Sequence, residues 1–338
     1  MAFEKQLQEK IANKTKPKGA LGKIEHLAFH IGKVQQTLSP ALSKPTVLVF
    51  AGDHGIAQEG VSAYPQEVTC QMVQNFTDGG AAINVCCRQH DLSLRIIDAG
   101  VNADLDSATG LIHRKIRKGT RSFLEAQAMT GDQLQDCFSK SRQLVDQLHQ
   151  DGCNIIGFGE MGISNTSSAS MLMSYLANYP LEECVGTGTG LSDQQYQAKL
   201  SIIKNAKAFH GPIDDPEQVL ATFGGFEMAQ MCGALLRAYE RNMLLLIDGF
   251  IATSTFLAAY RINPNIIDNA LFCHVSAEKG HHQLLHYLEA DPILDLNIRL
   301  GEGVGCALAY PIINSSVAFL NEMANFDSAS ITNRPTQS

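Results

Sequence analysis

Thr46-Val-Leu-Val-Phe-Ala51, followed at once by Gly52-Asp53-His54-Gly55, decides the fold class. An unbroken apolar run without alternation is the signature of a strand buried on both faces. The glycines and polar side chains after it mark a sharp exit from that strand. The same pairing recurs along the chain. Leu94-Arg-Ile-Ile-Asp98 leads to Ala99-Gly100, and Asn154-Ile-Ile-Gly157 leads to Phe158-Gly159-Glu160-Met161-Gly162. Met243-Leu-Leu-Leu-Ile-Asp248 leads to Gly249, and Asn269-Ala-Leu-Phe-Cys-His274 to Val275-Ser276. Helical stretches lie between, one of them carrying Leu134, Cys137, Phe138, Val145 and Leu148 at helical spacing. The alternation predicts an α/β fold, a mostly parallel open sheet with helices on both faces in a Rossmann-like three-layer arrangement. Ligands of such sheets bind at the carboxyl ends of the strands, where these polar exits gather.

The ends of the chain read differently. Phe3, Leu7 and Ile11 mark one helix face, and Leu21, Ile24, Leu27, Ile31 and Val34 another, with Lys16-Pro17-Lys18-Gly19 breaking the pair. Residues 1–40 are therefore expected to form a small helical subdomain, joined by part of the C-terminal helical region. Residues 41–300 form the α/β catalytic domain, 301–326 a glutamate loop and C-terminal helix, and 327–338 a flexible tail rich in Ser, Thr, Asn and Pro.

Composition narrows the partners. A net charge of −8 argues against nucleic acid and anionic membranes. Charged residues make up 18% of the chain, below the usual ~25%, which together with 28 glycines suggests much buried structure and backbone-lined pockets. None of the nine cysteines forms a C-x-x-C pair, and most sit in apolar stretches. They read as small buried hydrophobes in a reducing compartment, with no zinc-ligand spacing. Met1-Ala-Phe-Glu-Lys-Gln has no signal-peptide core, and the apolar stretch Met243 to Ala259 carries Asp248 and several hydroxyls, too polar for a membrane span. The expectation is a cytoplasmic protein.

Several loops carry candidate chemistry. Arg299-Leu-Gly-Glu-Gly-Val-Gly305 sets one carboxylate among glycines at the mouth of an apolar run. Desolvated there, Glu302 is a general base; otherwise it is a solvated loop glutamate. Gly186-Thr-Gly-Thr-Gly190 precedes Ser192, a plausible N-cap, and reads as a phosphate loop or as a plain turn. Lys199 lies about 10 Å along the following helix and either reaches back to that anion or stays solvated. Glu160 and Gly162 begin a second strand-to-helix loop, an anion or ribose site or simple capping by Ser164 or Thr166; Glu160 would hold a ribose hydroxyl or pair with Lys199. Asp53 and His54 suggest acid–base work, a metal, or a mutual hydrogen bond that shapes the loop. Tyr64 and Gln71 flank a helix start at Pro65 and offer a ring and an amide. Ser276 is a possible phosphate contact, with His274, His281 and His282 read as structural.

Taken as a set, the motifs resemble the nicotinate-nucleotide–dimethylbenzimidazole phosphoribosyltransferase family. The matching stretches include Phe50-Ala-Gly-Asp-His-Gly-Ile56, Tyr64-Pro-Gln-Glu-Val-Thr69 and Gly157-Phe-Gly-Glu-Met-Gly-Ile163. They continue through Gly186-Thr-Gly-Thr-Gly190, Phe223-Gly-Gly-Phe-Glu227, Ser276-Ala-Glu-Lys-Gly-His281 and Arg299-Leu-Gly-Glu-Gly303, in family order. The resemblance implies transfer of 5-phosphoribosyl from nicotinate mononucleotide to 5,6-dimethylbenzimidazole, without a cofactor or metal, by a homodimer. It implies Glu302 as the base. Tyr64, Gln71, Met161 and Leu300 would line the benzimidazole slot. Glu160, Gly162, Gly186, Thr187, Gly188, Lys199 and Ser276 would hold the phosphoribosyl group. Thr187 stands where many relatives carry Arg, and Lys279 where Pro is common. Two other classes are weighed against this. A nicotinamide-dependent oxidoreductase would need the G-x-G-x-x-G fingerprint, which Gly186–Gly190 lacks. A nucleotide- or vitamin-binding module would have no use for Glu302 as a base.

Overall fold

The computed structural model describes residues 2–105, 108–186 and 190–332. The chain divides into two units, one of Met1–Ser43 with Ala309–Ser338 and one of Lys44–Leu308.

The larger unit is an α/β layer structure, as the apolar runs require. Its main sheet contains β1 (Thr46–Gly52), β2 (Ser93–Gly100), β3 (Leu111–His113), β4 (Ile155–Met161), β5 (Leu244–Ile247) and β6 (Ala270–Phe272). All adjacent pairs are parallel, in the order β3-β2-β1-β4-β5-β6. Every residue of β1 is buried, which accounts for its lack of alternation. Side chains alternate across a strand, so Leu48 and Phe50 share one face and Val47 and Val49 the other. Helix Phe226–Glu240 covers the first face, bringing Glu227 against Gly52 and Phe226 against Gly100. On the second face Gly303 meets Val47, and Cys306 meets Gly157.

The run Asn269–His274, expected as one strand, is two. The chain leaves the main sheet at Cys273, and β7 (His274–Ser276) pairs in parallel with β8 (Leu294–Ile298) in a separate two-stranded sheet. Cys273 links them, its N–H bonding the Ile247 carbonyl while its own carbonyl accepts from Leu294.

In the smaller unit, helices Ala2–Ala12 and Lys23–Val34 share a core of Leu7, Ile11, Ala28 and Leu320. An isolated antiparallel bridge pairs Lys14 with Asn325. Lys16 and Glu25 form a buried ion pair at 2.8 Å. Residues 327–331 do not run free: the N–H groups of Ser330 and Ile331 bond the carbonyls of Asp327 and Phe326. Helix Val304–Glu322 is long and apolar enough to cross a bilayer by length and composition, but 56% of its apolar window is buried, as in a core helix.

Candidate active site

Strand order reverses between β1 and β4, the point where doubly wound sheets open a crevice beyond their carboxyl ends. A cavity of about 400 Å³ lies there. The end of β4 supplies Glu160, Met161 and Gly162, and the exit of β5 supplies Gly249 and Phe250. Ser276 comes from β7, the segment Arg299 to Glu302 from the loop after β8, and Tyr64, Val68 and Met72 from the connection after β1.

Glu302 is 5% exposed and holds φ of 72°, a left-handed conformation that costs a non-glycine residue energy. Its backbone is overdetermined. The Glu302 N–H donates to the Glu160 carbonyl at 3.2 Å. The N–H groups of Gly303 and Gly305 donate to the Asp248 carboxylate at 3.0 and 2.8 Å. Burial pushes the Glu302 carboxyl up to about 7; the Ile83 N–H, in the first turn of helix Ala82–Gln89, draws it down, and Asp248 pushes it up. Its Oε2 has no hydrogen-bond partner among the described residues. A carboxylate with a free oxygen, facing a cavity and titrating near neutrality, has the properties of a general base.

Glycine at 159 is a steric necessity. A Cβ there would lie 2.4 Å from the Glu302 carbonyl carbon and oxygen. Gly159→Ala is expected to cost roughly 1–3 kcal/mol of stability, as overpacking does, and to reduce turnover by displacing Glu302. Thermal melts and steady-state assays check both. Wild-type turnover in the folded variant would show that the loop tolerates the shift.

Glu160 is buried, and burial pushes its carboxyl up to about 8; Asn165 opposes that, while Glu227, Asp248 and Glu302 add to it. The Asn165 amide donates to one Glu160 oxygen. The alternative pairing of Glu160 with Lys199 does not occur. Lys199, in helix Asp193–His210, is 1% exposed and donates to Thr166 Oγ1 at 2.9 Å. Burial pulls its ammonium down to about 8, and Glu278 pushes it back up. It is therefore buried rather than solvated. Its target is the first turn of helix Asn165–Leu176, where Lys199 and Ser164 line a small cavity beside the main one. Ser164 Oγ is buried without a partner among the described residues, so of the two capping candidates Ser164 makes no side-chain cap.

Gly186 lines a further cavity with Glu278, Lys279 and Arg299. It follows helix Leu181–Cys184 rather than a strand, so the context of a dinucleotide fingerprint is missing. Thr187 and Gly188 lie outside the described residues. Ser192 does cap its helix, accepting from the Gln195 N–H.

Tyr64, Met161 and Leu300 line the main cavity with Glu302, but Gln71 lines a different one with Asp53 and Asn102. In helix Glu67–Thr77 the residues on the main cavity are Val68 and Met72, spaced i, i+4. The main cavity also takes in Val68, Met72, Asn165, Thr166, Glu278 and Arg299, to which the sequence assigns no part in the site beyond capping by Thr166. Val68 and Met72 look like core in sequence.

The expected Asp53–His54 hydrogen bond is not formed. His54 Nε2 pairs with Glu227 Oε1 at 2.5 Å and Nδ1 with Ser168 Oγ at 3.0 Å, while Asp53 accepts from the Asn102 N–H at 2.7 Å. His281 is structural as expected. Its Nδ1 accepts from the Ser276 N–H at 2.8 Å, so Nε2 carries hydrogen toward Thr253 Oγ1 at 3.0 Å. Burial, with His274 and His282 adding, holds its pKa down at about 3.

Residues 1–331 match a family model described as phosphoribosyltransferase. The nicotinate-nucleotide–dimethylbenzimidazole phosphoribosyltransferase of Dechloromonas aromatica is 53% identical over 98% of this chain and 96% of its own. The protein of that name from Cupriavidus taiwanensis is 52% identical over 96% of this chain and 94% of its own. The crystal structure of CobT from Thermus thermophilus superposes with a TM-score of 0.95 at 36% identity, covering 99% of this chain and 100% of that one.

Proposed function

The chain belongs to the nicotinate-nucleotide–dimethylbenzimidazole phosphoribosyltransferase family, and from that premise we propose that Glu302 is the base of its reaction and the cavity beside it the substrate site. The enzyme transfers 5-phosphoribosyl from nicotinate mononucleotide to 5,6-dimethylbenzimidazole, giving α-ribazole 5′-phosphate and nicotinate, in cobalamin nucleotide-loop assembly. A binding module or an oxidoreductase does not fit a match of this length.

The observation that carries the assignment is buried Glu302 in the cavity lining, its Oε2 without a hydrogen-bond partner among the described residues. In the proposed step one azole nitrogen attacks C1′ from the face opposite nicotinate. The C1′–N bond breaks, and its electron pair goes to the nicotinate ring nitrogen, which is cationic beforehand and so leaves readily. The azole's other nitrogen becomes acidic as the new bond forms, and Glu302 Oε2 takes its proton. Backside attack turns the β bond into an α bond. Tyr64, Val68, Met72, Met161 and Leu300 hold the flat base. Lys199, Ser276 and the first turn of helix Asn165–Leu176 take the phosphate, and Gly186, Thr187 and Gly188 help hold the phosphoribosyl group, as the family resemblance implies. Glu160, whose carboxyl burial pushes up to about 8, holds a ribose hydroxyl, and Gly162 lets the ribose approach the backbone. Holding both rings in line on opposite faces of the ribose supplies rate through orientation.

We also propose a homodimer, supported by Leu296 exposed on β8, and a cytoplasmic setting, supported by nine free cysteines. Mixing the protein with nicotinate mononucleotide and a panel of lower-ligand bases tests the function. Nicotinate release with 5,6-dimethylbenzimidazole is expected, with turnover falling as pH drops through about 7, because Glu302 must be deprotonated to act. Folded protein that releases no nicotinate with any base overturns the reading.

A further inference from the structure

Asp248 directly follows β5 and immediately precedes Gly249, where the cavity lining resumes, yet it is not itself a cavity residue. It is 2% exposed and spends its carboxylate on the loop that carries Glu302. Oδ2 accepts from the Gly303 N–H at 3.0 Å and Oδ1 from the Gly305 N–H at 2.8 Å. Behind it, His274 Nε2 lies 3.5 Å from Oδ1, with His274 wholly buried. The fit is tight: a Cβ on Gly305 would come within 2.1 Å of His274 Cδ2 and 2.6 Å of Asp248 Oδ1. A buried carboxylate fixed by two backbone N–H groups leaves little room for the loop to relax.

Resting on the assignment of Glu302 as the base, we propose that Asp248, backed by His274, is the positioning residue of that base: it clamps the loop that holds Glu302 in its left-handed conformation and sets a negative charge behind it. Asp248 thus acts at a distance from the substrates. The groups that face Glu302 are Asp248 after β5, Glu160 on β4 and Cys86 on helix Ala82–Gln89, with His274 on β7 behind Asp248. Of these, Asp248 is the one that both touches the Glu302 loop through hydrogen bonds and raises the basicity of Glu302. Burial pulls the His274 ring down, but Asp248, with the Val275 backbone, more than offsets it and the net direction is up, so His274 and Asp248 act on one another behind the loop.

The test is the pH dependence of kcat at saturating substrates in wild type, Asp248→Asn, His274→Gln and Glu302→Gln. Asp248→Asn is expected to lose roughly 10-fold or more in kcat through misplacement of the base, with KM for nicotinate mononucleotide nearly unchanged. Its acidic limb is expected to move to lower pH, since a negative neighbour has been removed. His274→Gln, which removes the ring behind Asp248, is expected to move the limb as well, and it keeps the question open to test if Asp248→Asn does not fold. A limb set by the substrate's own ring nitrogen would stay in place in every variant. If the wild-type limb disappears in Glu302→Gln yet neither clamp variant moves it, the proposal fails while the base assignment stands. If Glu302→Gln keeps the wild-type profile, the base assignment itself fails and takes the clamp with it.

Discussion

Glu302→Gln is expected to lower kcat by roughly 10²- to 10⁴-fold, the range a positioned general base supplies, while nicotinate mononucleotide binds nearly as in wild type. The amide is isosteric and keeps one oxygen for the Ile83 N–H, so the loop has no reason to move. It has no proton affinity to offer the azole. An effect confined to kcat means that the lost interaction belongs to the transition state. Isothermal titration with nicotinate mononucleotide, alongside steady-state kinetics, separates the two. Loss of affinity equal to the loss of turnover would instead make Glu302 a binding residue.

Lys199→Met is expected to act in two opposite directions at once. Affinity for nicotinate mononucleotide falls by roughly 10- to 100-fold, the worth of a hydrogen bond to a charged group. Thermal stability at pH 7 rises, because the free protein no longer buries an ammonium whose hydrogen-bond partner is a neutral hydroxyl. The sign follows from linkage. The folded pKa, about 8, lies below the ordinary lysine value, so the cost of the charge is present in full below about pH 8 and fades as pH rises toward that ordinary value. The stability gain of the variant therefore shrinks at high pH. Melting curves across pH, with and without nicotinate mononucleotide, check both signs. A variant that is less stable at pH 7 and binds as well as wild type would make Lys199 a packing residue.

The sheet was legible in the sequence because burial on both faces erases alternation, and Thr46–Ala51 shows that erasure plainly. Glu160, Gly162, Ser276 and Glu302 were legible for a related reason: polar residues and glycines directly after apolar runs fall at strand ends, and strand ends face the crevice. The break between β6 and β7 was not, since Leu271-Phe-Cys-His reads the same whether or not it changes sheets. Gln71 illustrates a second limit. A helix turns 100° per residue, so the choice between Gln71 and Met72 rests on a helix phase that Tyr64-Pro65 leaves open. An amide draws the eye, whereas the wall of a flat aromatic slot is built from side chains such as Val68 and Met72 that resemble core. The partnerships of His54 with Glu227, and of Asp248 with Gly303 and Gly305, join residues 173, 55 and 57 positions apart. No local pattern announces them.

The base role of Glu302 is tested most directly with a nucleophile that has no proton to lose. 1-Methylbenzimidazole attacks C1′ through its free nitrogen and gives a cation from which nothing need be abstracted. Nicotinate release is measured for wild type and Glu302→Gln with this base and with 5,6-dimethylbenzimidazole. The expected result is a large wild-type advantage with 5,6-dimethylbenzimidazole that collapses toward unity with 1-methylbenzimidazole. An equal advantage with both bases would contradict proton abstraction and leave Glu302 as an electrostatic support for the ribose cation.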